Sequence, residues 1–175
     1  MAVVKREWTS LCLKANRALG AALVAHDLVT FEAQDEAMEK FINAYRAKDW
    51  LKASLLRVLL FETQSLDESA LIDVQLERSG LAAINLDQYR AKTDLLLKYT
   101  PELCSITRTV PIDEVGTTTF VVSAYHLSPA VREYWEAQLP GPCVWYLSPL
   151  QAIDMHLEQA YAQAEAIESE AAAAS

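Results

Sequence analysis

Residues 118–149 read TTFVVSAYHLSPAVREYWEAQLPGPCVWYLSP and contain the most regular pattern in the chain. Within them, Tyr-His-Leu-Ser-Pro at 125–129 is echoed by Trp-Tyr-Leu-Ser-Pro at 145–149. Each copy follows a run rich in β-branched and aromatic residues, which favours a strand, and precedes a run with helical periodicity. The connection between the two runs is long enough for a crossover helix. The sequence therefore predicts two parallel strands with a helix between them.

The two serine–proline pairs predict where the flanking helices begin. Ser128 and Ser148 are preferred N-cap residues, and each is followed by a proline at the first helical position, where a missing N–H is harmless. Gln151 stands three residues after Ser148, which is the spacing of a capping box. We therefore expect each serine hydroxyl to cap the helix that follows it.

Helical spacing of apolar residues dominates the rest of the chain. The predicted helices cover about 5–26, 31–47, 50–63, 67–79, 86–99, 129–138 and 149–168, and the predicted strands cover about 105–112, 118–127 and 143–147. The third helix is apolar nearly all round, which indicates a central element. Its expected core residues are Leu55, Val58 and Leu59.

The predicted fold class is α+β and predominantly helical. A helical N-terminal body over about 5–100 packs with a small three-stranded mixed sheet and a long C-terminal helix. Residues 1–167 are expected to form a single globular domain, because their length and 52% hydrophobic content suit one core. Residues 168–175 are expected to be a frayed tail, because that segment is acidic and alanine-rich with nothing to bury.

The net charge of −9 is concentrated in two segments that contain no Lys or Arg. The first acidic set, in residues 62–77, comprises Glu62, Asp67, Glu68, Asp73 and Glu77; the second, in residues 150–175, comprises Asp154, Glu158, Glu165, Glu168 and Glu170. Carboxylates repel phosphates, so the sequence disfavours nucleic-acid and anionic-membrane partners and suits a basic protein partner. Acidic faces also keep proteins soluble without binding anything, and this alternative stays open.

The three cysteines, Cys12, Cys104 and Cys143, are odd in number and widely spaced, with no CxxC pair. They predict neither a disulfide framework nor a zinc cluster. No stretch approaches the roughly 20 apolar residues of a membrane span. We therefore predict a cytoplasmic protein that uses no cofactor or metal, and we leave homo-oligomer formation open.

The sequence lacks the common motifs of nucleotide and zinc enzymes, namely GxGxxG, GxxxxGK[ST], HExxH and GxSxG. One candidate ligand site follows from topology, because ligands of parallel sheets collect at the carboxyl ends of strands. This strand-end site comprises Tyr125, His126, Ser128, Tyr146 and Ser148. His126 can titrate near neutral pH and the tyrosines can donate hydrogen bonds. Each residue also has a structural interpretation, as a helix cap or a core side chain.

Two functional hypotheses of different classes follow. The first is a non-enzymatic interaction protein of bacterial type, such as an adaptor, a chaperone-like protein or an inhibitor of the immunity type. It would use the acidic surfaces, and the first acidic set supplies its candidate partner-binding residues. The alternative is a small-molecule sensor or enzyme with its site around His126 and Tyr146. A concave polar pocket at these two residues would favour the alternative. A flat sheet end with exposed apolar surface elsewhere would favour the first hypothesis.

Overall fold

The computed structural model describes residues 6–89 and 92–174. The predicted fold class is confirmed: the chain is α+β, mostly helical, with a small mixed sheet and a long C-terminal helix. The helices are α1 (Arg6–Ala25), α2 (Phe31–Arg46), α3 (Leu55–Arg57), α4 (Glu68–Ser79), α5 (Thr93–Tyr99), α6 (Pro101–Thr107), α7 (Pro129–Gln138) and α8 (Leu150–Ala173). The strands are β1 (Ala82–Ala83), β2 (Thr109–Val115), β3 (Thr118–Ser123) and β4 (Cys143–Leu147). Predictions that fall on positions 1–5, 90, 91 and 175 lie outside the described residues.

The sheet has four strands in the order β1-β4-β3-β2. β3 and β4 are parallel, as the repeated motif predicts, and α7 is the crossover between them. β1 adds a fourth, parallel strand of two alanines. The sequence does not predict it, because two residues are too few to show an alternation of apolar and polar side chains. β2 pairs antiparallel with β3 at the sheet edge, where Pro111 is tolerated and a register shift follows it.

Three strand boundaries differ from the prediction, one of them being the end of β2 at Val115 rather than about 112. β2 starts at Thr109 rather than about 105, because Pro101 opens the helix α6 and Arg108, with φ 46°, ends it in a left-handed conformation. β3 ends at Ser123 rather than 127. The Ser123 hydroxyl bonds the Thr109 hydroxyl at 2.8 Å and accepts the N–H of Tyr125 at 2.9 Å, which turns the chain out of the sheet.

The third predicted helix starts at Leu55 rather than 50, because Ser54 caps it by accepting the N–H of Arg57 at 3.1 Å. Its second half is not α-helical but a π-helical turn, Val58–Glu62. Leu55, Leu56 and Leu59 are fully buried, as a central element should be. Phe61, by contrast, is 46% exposed, so one side of this helix reaches the surface.

The helical body contains two successive helix–turn–helix segments, called hairpins below, whose turns have the same layout: α1 with α2, and α3 and its π-helical turn with α4. Each turn has a residue with positive φ, then a buried apolar residue, then an N-cap: Asp27, Val29 and Thr30 in the first hairpin, and Gln64, Leu66 and Asp67 in the second. Corresponding residues of the two turns are 37 positions apart. The buried leucines before the turns, Leu19 with Leu23 and Leu55 with Leu59, are only 36 apart. The π-helical turn accommodates the extra residue, as a π-turn inside a helix does.

α8 docks on the body through its first three turns. Leu150, Ile153 and Leu157 are fully buried, and Ala160 is nearly so. The helix then continues to Ala173, through the segment predicted to fray. Most side chains described beyond position 161 are exposed, so this last part of α8 contributes little to the core.

We expect Leu59→Ala to lower the free energy of unfolding by about 2 to 5 kcal/mol, since it leaves a cavity at a fully buried position. Phe61→Ala, two residues on and half exposed, is the matched control and should cost clearly less. Urea denaturation of both variants measures the difference. Equal losses would contradict a core centred on this helix.

Candidate functional site

The first acidic set lies at the end of the π-helical turn and along α4. Glu62, Asp67, Asp73 and Glu77 are exposed. Asp67 caps α4 by accepting the N–H of Ser69 at 2.9 Å. Glu68 is half-buried, and one of its carboxylate oxygens accepts the N–H of Leu150 at 2.7 Å. The structure therefore leaves four carboxylates of this set facing solvent and uses the fifth internally.

The predicted capping box of Ser148 and Gln151 is wrong. Pro149 occupies the N-cap position of α8, and the buried Ser148 hydroxyl has no hydrogen-bond partner among the described residues. The carboxylate of Glu68, far away in sequence, takes the position of the cap, where the helix dipole stabilises a negative charge. The N-terminus of α8, where an external anion could bind, is thus already occupied by the carboxylate of Glu68.

Ser128 does precede α7, as predicted, but its side chain does not cap it. Its hydroxyl is fully buried and donates a hydrogen bond to the backbone oxygen of Ala15 at 2.9 Å. This hydrogen bond therefore holds the segment between β3 and α7, residues 124–128, against α1. Tyr146 lies within β4, in register with Ala82 and Val122, and is half-buried.

Tyr125 is the centre of a buried polar network rather than part of a cleft. Its hydroxyl, fully buried, donates to the side-chain oxygen of Asn16 at 2.6 Å and lies 2.9 Å from the Ser54 hydroxyl. The same Asn16 oxygen accepts the N–H of Leu55 at 2.7 Å. Burial raises the pKa of Tyr125 to about 12, so the hydroxyl stays protonated and donates. The network joins α1, the start of α3 and the end of the β3 connection.

His126 is only 8% exposed, and its ring packs edge-on against Trp145 with 5.3 Å between the ring centroids. Burial, reinforced by the positive charge of Arg132, lowers the pKa of His126 to about 4. The imidazole is therefore neutral at neutral pH. The five residues of the predicted strand-end site do not converge: Tyr125 and Ser128 contact α1, whereas His126 packs on Trp145.

A charged cluster that the sequence analysis did not identify lies between α3, α6 and α8. Arg108, 1% exposed, faces Asp154 with 3.4 Å between Nη1 and a carboxylate oxygen, and donates to the backbone oxygen of Leu51 at 2.5 Å. The other Asp154 oxygen accepts from the half-exposed Arg57 at 3.0 Å. The guanidinium of Arg57 also lies over the ring of Phe61, 5.8 Å from its centroid.

One signal in the sequence pointed to this cluster. In the alternating pattern that predicted a strand over about 105–112, Arg108 stands in the same register as Ile106 and Val110, which is an apolar position that a charge occupies only when it is paired. Asp154 follows the buried Ile153 on α8 and is itself 6% exposed. The two charges are 46 residues apart in the chain, so their pairing needs the fold and cannot be deduced from spacing.

The thiol groups of the three cysteines stay protonated at neutral pH. All three cysteines are free thiols, and burial raises the pKa of Cys12 and of Cys143 to about 12 and that of Cys104 further. Over 6–89 and 92–174, no three His, Cys, Asp or Glu side chains are grouped to hold a metal ion. Over the same ranges, no helix is both long and apolar enough to pass through a membrane.

Similarity to known proteins is found among solved structures. No protein-family model matches the chain, and no curated protein sequence matches it. A solved structure of MshE with cyclic di-GMP is similar in fold, with a TM-score of 0.50 and 19% sequence identity. The alignment covers 82% of this chain and 98% of the MshE chain. At this identity the likeness shows a shared fold.

We expect Asp154→Asn to destabilise the protein by about 3 to 5 kcal/mol, because it leaves the buried Arg108 charge uncompensated. Arg57→Gln removes the half-exposed donor to Asp154 but leaves the Arg108 charge opposite the carboxylate, and it should cost less, about 1 to 2 kcal/mol. Urea denaturation at neutral pH compares the two variants. If the asparagine variant were no less stable than the glutamine variant, Arg108 would not depend on Asp154.

Stability should fall as pH decreases from about 6.5 to about 4. The pKa of His126 is 6.5 in the unfolded chain and about 4 in the folded protein, because burial and Arg132 disfavour the cation. Between these two pH values the unfolded state binds a proton at His126 and the folded state does not. The free energy of unfolding near pH 4 is therefore lower by about 2 to 3 kcal/mol. Denaturation midpoints across this range should fall less steeply in His126→Phe. The slope that remains is expected from His156, whose pKa burial also lowers, and from Glu114 and Asp113, whose pKa values are lowered by hydrogen bonds from Lys98 and Lys92.

Proposed function

We propose that this chain is a non-catalytic protein-interaction domain that binds a basic partner through its helical body. The observation that carries the proposal is the contrast between the two predicted sites. In the strand-end site, Tyr125 and Ser128 are hydrogen-bonded internally and His126 is buried against Trp145, whereas Glu62, Asp67, Asp73 and Glu77 remain exposed on one segment. Exposed charges of one sign attract an oppositely charged partner and accelerate its association.

Exposed apolar side chains on the same body support this proposal. Phe31, the first residue of α2, is 65% exposed, and Phe61 is 46% exposed. Large aromatic side chains exposed beside carboxylates are typical of interaction surfaces, where the aromatic supplies affinity and the charges supply orientation. We further expect the protein to work in a reducing compartment such as the cytoplasm, because its three cysteines are free.

Charge reversal on α4 tests the proposal. The partner is recovered by affinity capture from the source cells, identified and purified, and its binding is followed by surface plasmon resonance. Reversal of Asp73 and Glu77 to Lys should slow association by about tenfold and change dissociation less, since exposed charges act mainly on the encounter. Reversal of Glu165 and Glu170 to Lys on α8 changes the net charge equally and is the matched control.

The control pair should slow association clearly less than the α4 pair. His126→Phe should leave partner binding intact, because the histidine ring is buried against Trp145. If His126→Phe abolished binding in a folded protein while both charge reversals had no effect, the interaction surface would lie at the strand ends instead.

A cyclic dinucleotide is the second candidate ligand, because the similar MshE structure was solved with cyclic di-GMP. Arg57, half exposed and stacked over Phe61, offers a guanidinium and an aromatic ring, which are the groups that bind phosphates and bases. The pairing of Arg57 with Asp154 and the nearby acidic charges weigh against it. Titration calorimetry with cyclic di-GMP separates the candidates: binding heat that is lost in Arg57→Gln supports the dinucleotide.

A further inference from the structure

A cleft of about 390 Å³ lies where the α1–α2 turn meets the segment that leads into α4. Val24, Leu28 and Phe31 form its apolar part, Asp27 lies at its rim, and Ser65 closes the side contributed by the second hairpin. The two turns that the hairpins share therefore meet at one place on the surface. The cleft is open and shallow, which suits a side chain of another protein better than an enclosed small molecule.

The exposed ring of Phe31 is not needed to hold the start of α2 in place. The start of α2 is already secured by Thr30, whose side chain accepts the N–H of Ala33 at 3.2 Å, and by Val29, which is buried beside it. A ring that is 65% exposed gains little from the protein's own core. The exposed apolar surface of Phe31 and of the half-buried Leu28 is available for contact with a partner.

Asp27 is the charged residue that lines this cleft. The two segments that contribute its lining are acidic: residues 18–39 and 58–77 contain ten carboxylates, and Arg17, Lys40, Arg57 and Arg78 flank the segments. These carboxylates are Asp27, Glu32, Asp35, Glu36 and Glu39 in the first segment, and Glu62, Asp67, Glu68, Asp73 and Glu77 in the second. All but Glu68 are exposed, and Glu36 is paired with Lys40. A positively charged occupant is therefore favoured, because like charges on both sides of an interface repel each other.

We propose that this cleft is the docking site for a basic amphipathic segment of the partner protein. An apolar side chain of the segment packs against Leu28 and Phe31, and its Lys or Arg residues face Asp27 and the carboxylates around it. This inference rests on the proposed function. It adds where on this chain the partner docks and which side chains the partner uses. A second copy of this chain that docked through the same face would present the same carboxylates to the cleft and would be repelled.

The test uses two variants that leave the fold unchanged and two matched controls. Asp27→Asn removes the charge at a residue with φ 57°, a conformation that asparagine also adopts. Phe31→Ser removes the exposed ring. The controls are Glu165→Gln on α8 and Val115→Ser on β2, both exposed and outside the cleft.

The probe is a fluorescent amphipathic peptide of leucine and lysine, and its binding is measured by fluorescence anisotropy. Phe31→Ser should weaken binding by about tenfold and Asp27→Asn by a few-fold, as expected for an anchor residue and a charge at its rim. The control variants should change affinity less than about twofold. A peptide with glutamate in place of lysine should not bind, and binding of the lysine peptide should weaken as salt increases.

Three results would overturn the assignment of the cleft: no binding by the wild-type chain, equal binding by all four variants, or a dimer in ultracentrifugation that Phe31→Ser dissociates. The proposed function is decided separately. Slow association of the native partner after α4 charge reversal, combined with unchanged binding to Phe31→Ser, would keep the interaction domain and move its docking site away from the cleft.

Discussion

The pairing of Arg108 with Asp154 is the constraint on which the rest of this structure depends. A guanidinium that is 1% exposed must have a counter-charge, and α8 supplies it. Arg108 also joins α6 to β2 through its left-handed backbone and holds the loop before α3 through the carbonyl of Leu51. One side chain thus connects the sheet, the helical body and the C-terminal helix.

The sequence predicted those elements whose cause is local. Asp67 and Gly80 bound α4 as a cap and a left-handed terminator, and the parallel β3–α7–β4 unit follows from the spacing of its motif. Elements with a distant cause were missed. Glu68 replaces Ser148 at the start of α8, although 80 residues separate Glu68 and Ser148 in the chain. The similarity of the two hairpins was hidden because the π-helical turn shifts their spacing by one residue.

The same distinction explains how far the candidate site could be predicted. The exposure of the first acidic set follows from composition, since carboxylates without cationic neighbours stay in water. The strand-end hypothesis relied on a general rule for parallel sheets. In this chain the helical body packs over the carboxyl ends of β3 and β4. Tyr125 and Ser128 are hydrogen-bonded to α1, and Glu68 accepts the first N–H of α8. Which groups remain free at a sheet edge is decided by tertiary packing and is not visible in a strand's own sequence.

The π-helical turn at Val58–Glu62 has a consequence for how the chain tolerates changes in length. A wide helical turn holds one residue more than an α-helical turn between the same two anchor points, here the buried Leu59 and the cap of α4. Loss of a single residue there would convert the wide turn into ordinary α-helix and leave both anchors in place. The same loss in α1 would rotate every following side chain by about 100° and pull its leucines out of the core. Related chains that differ by one residue should therefore differ within this turn, and an alignment that places the gap elsewhere in the helical body would misassign the buried positions.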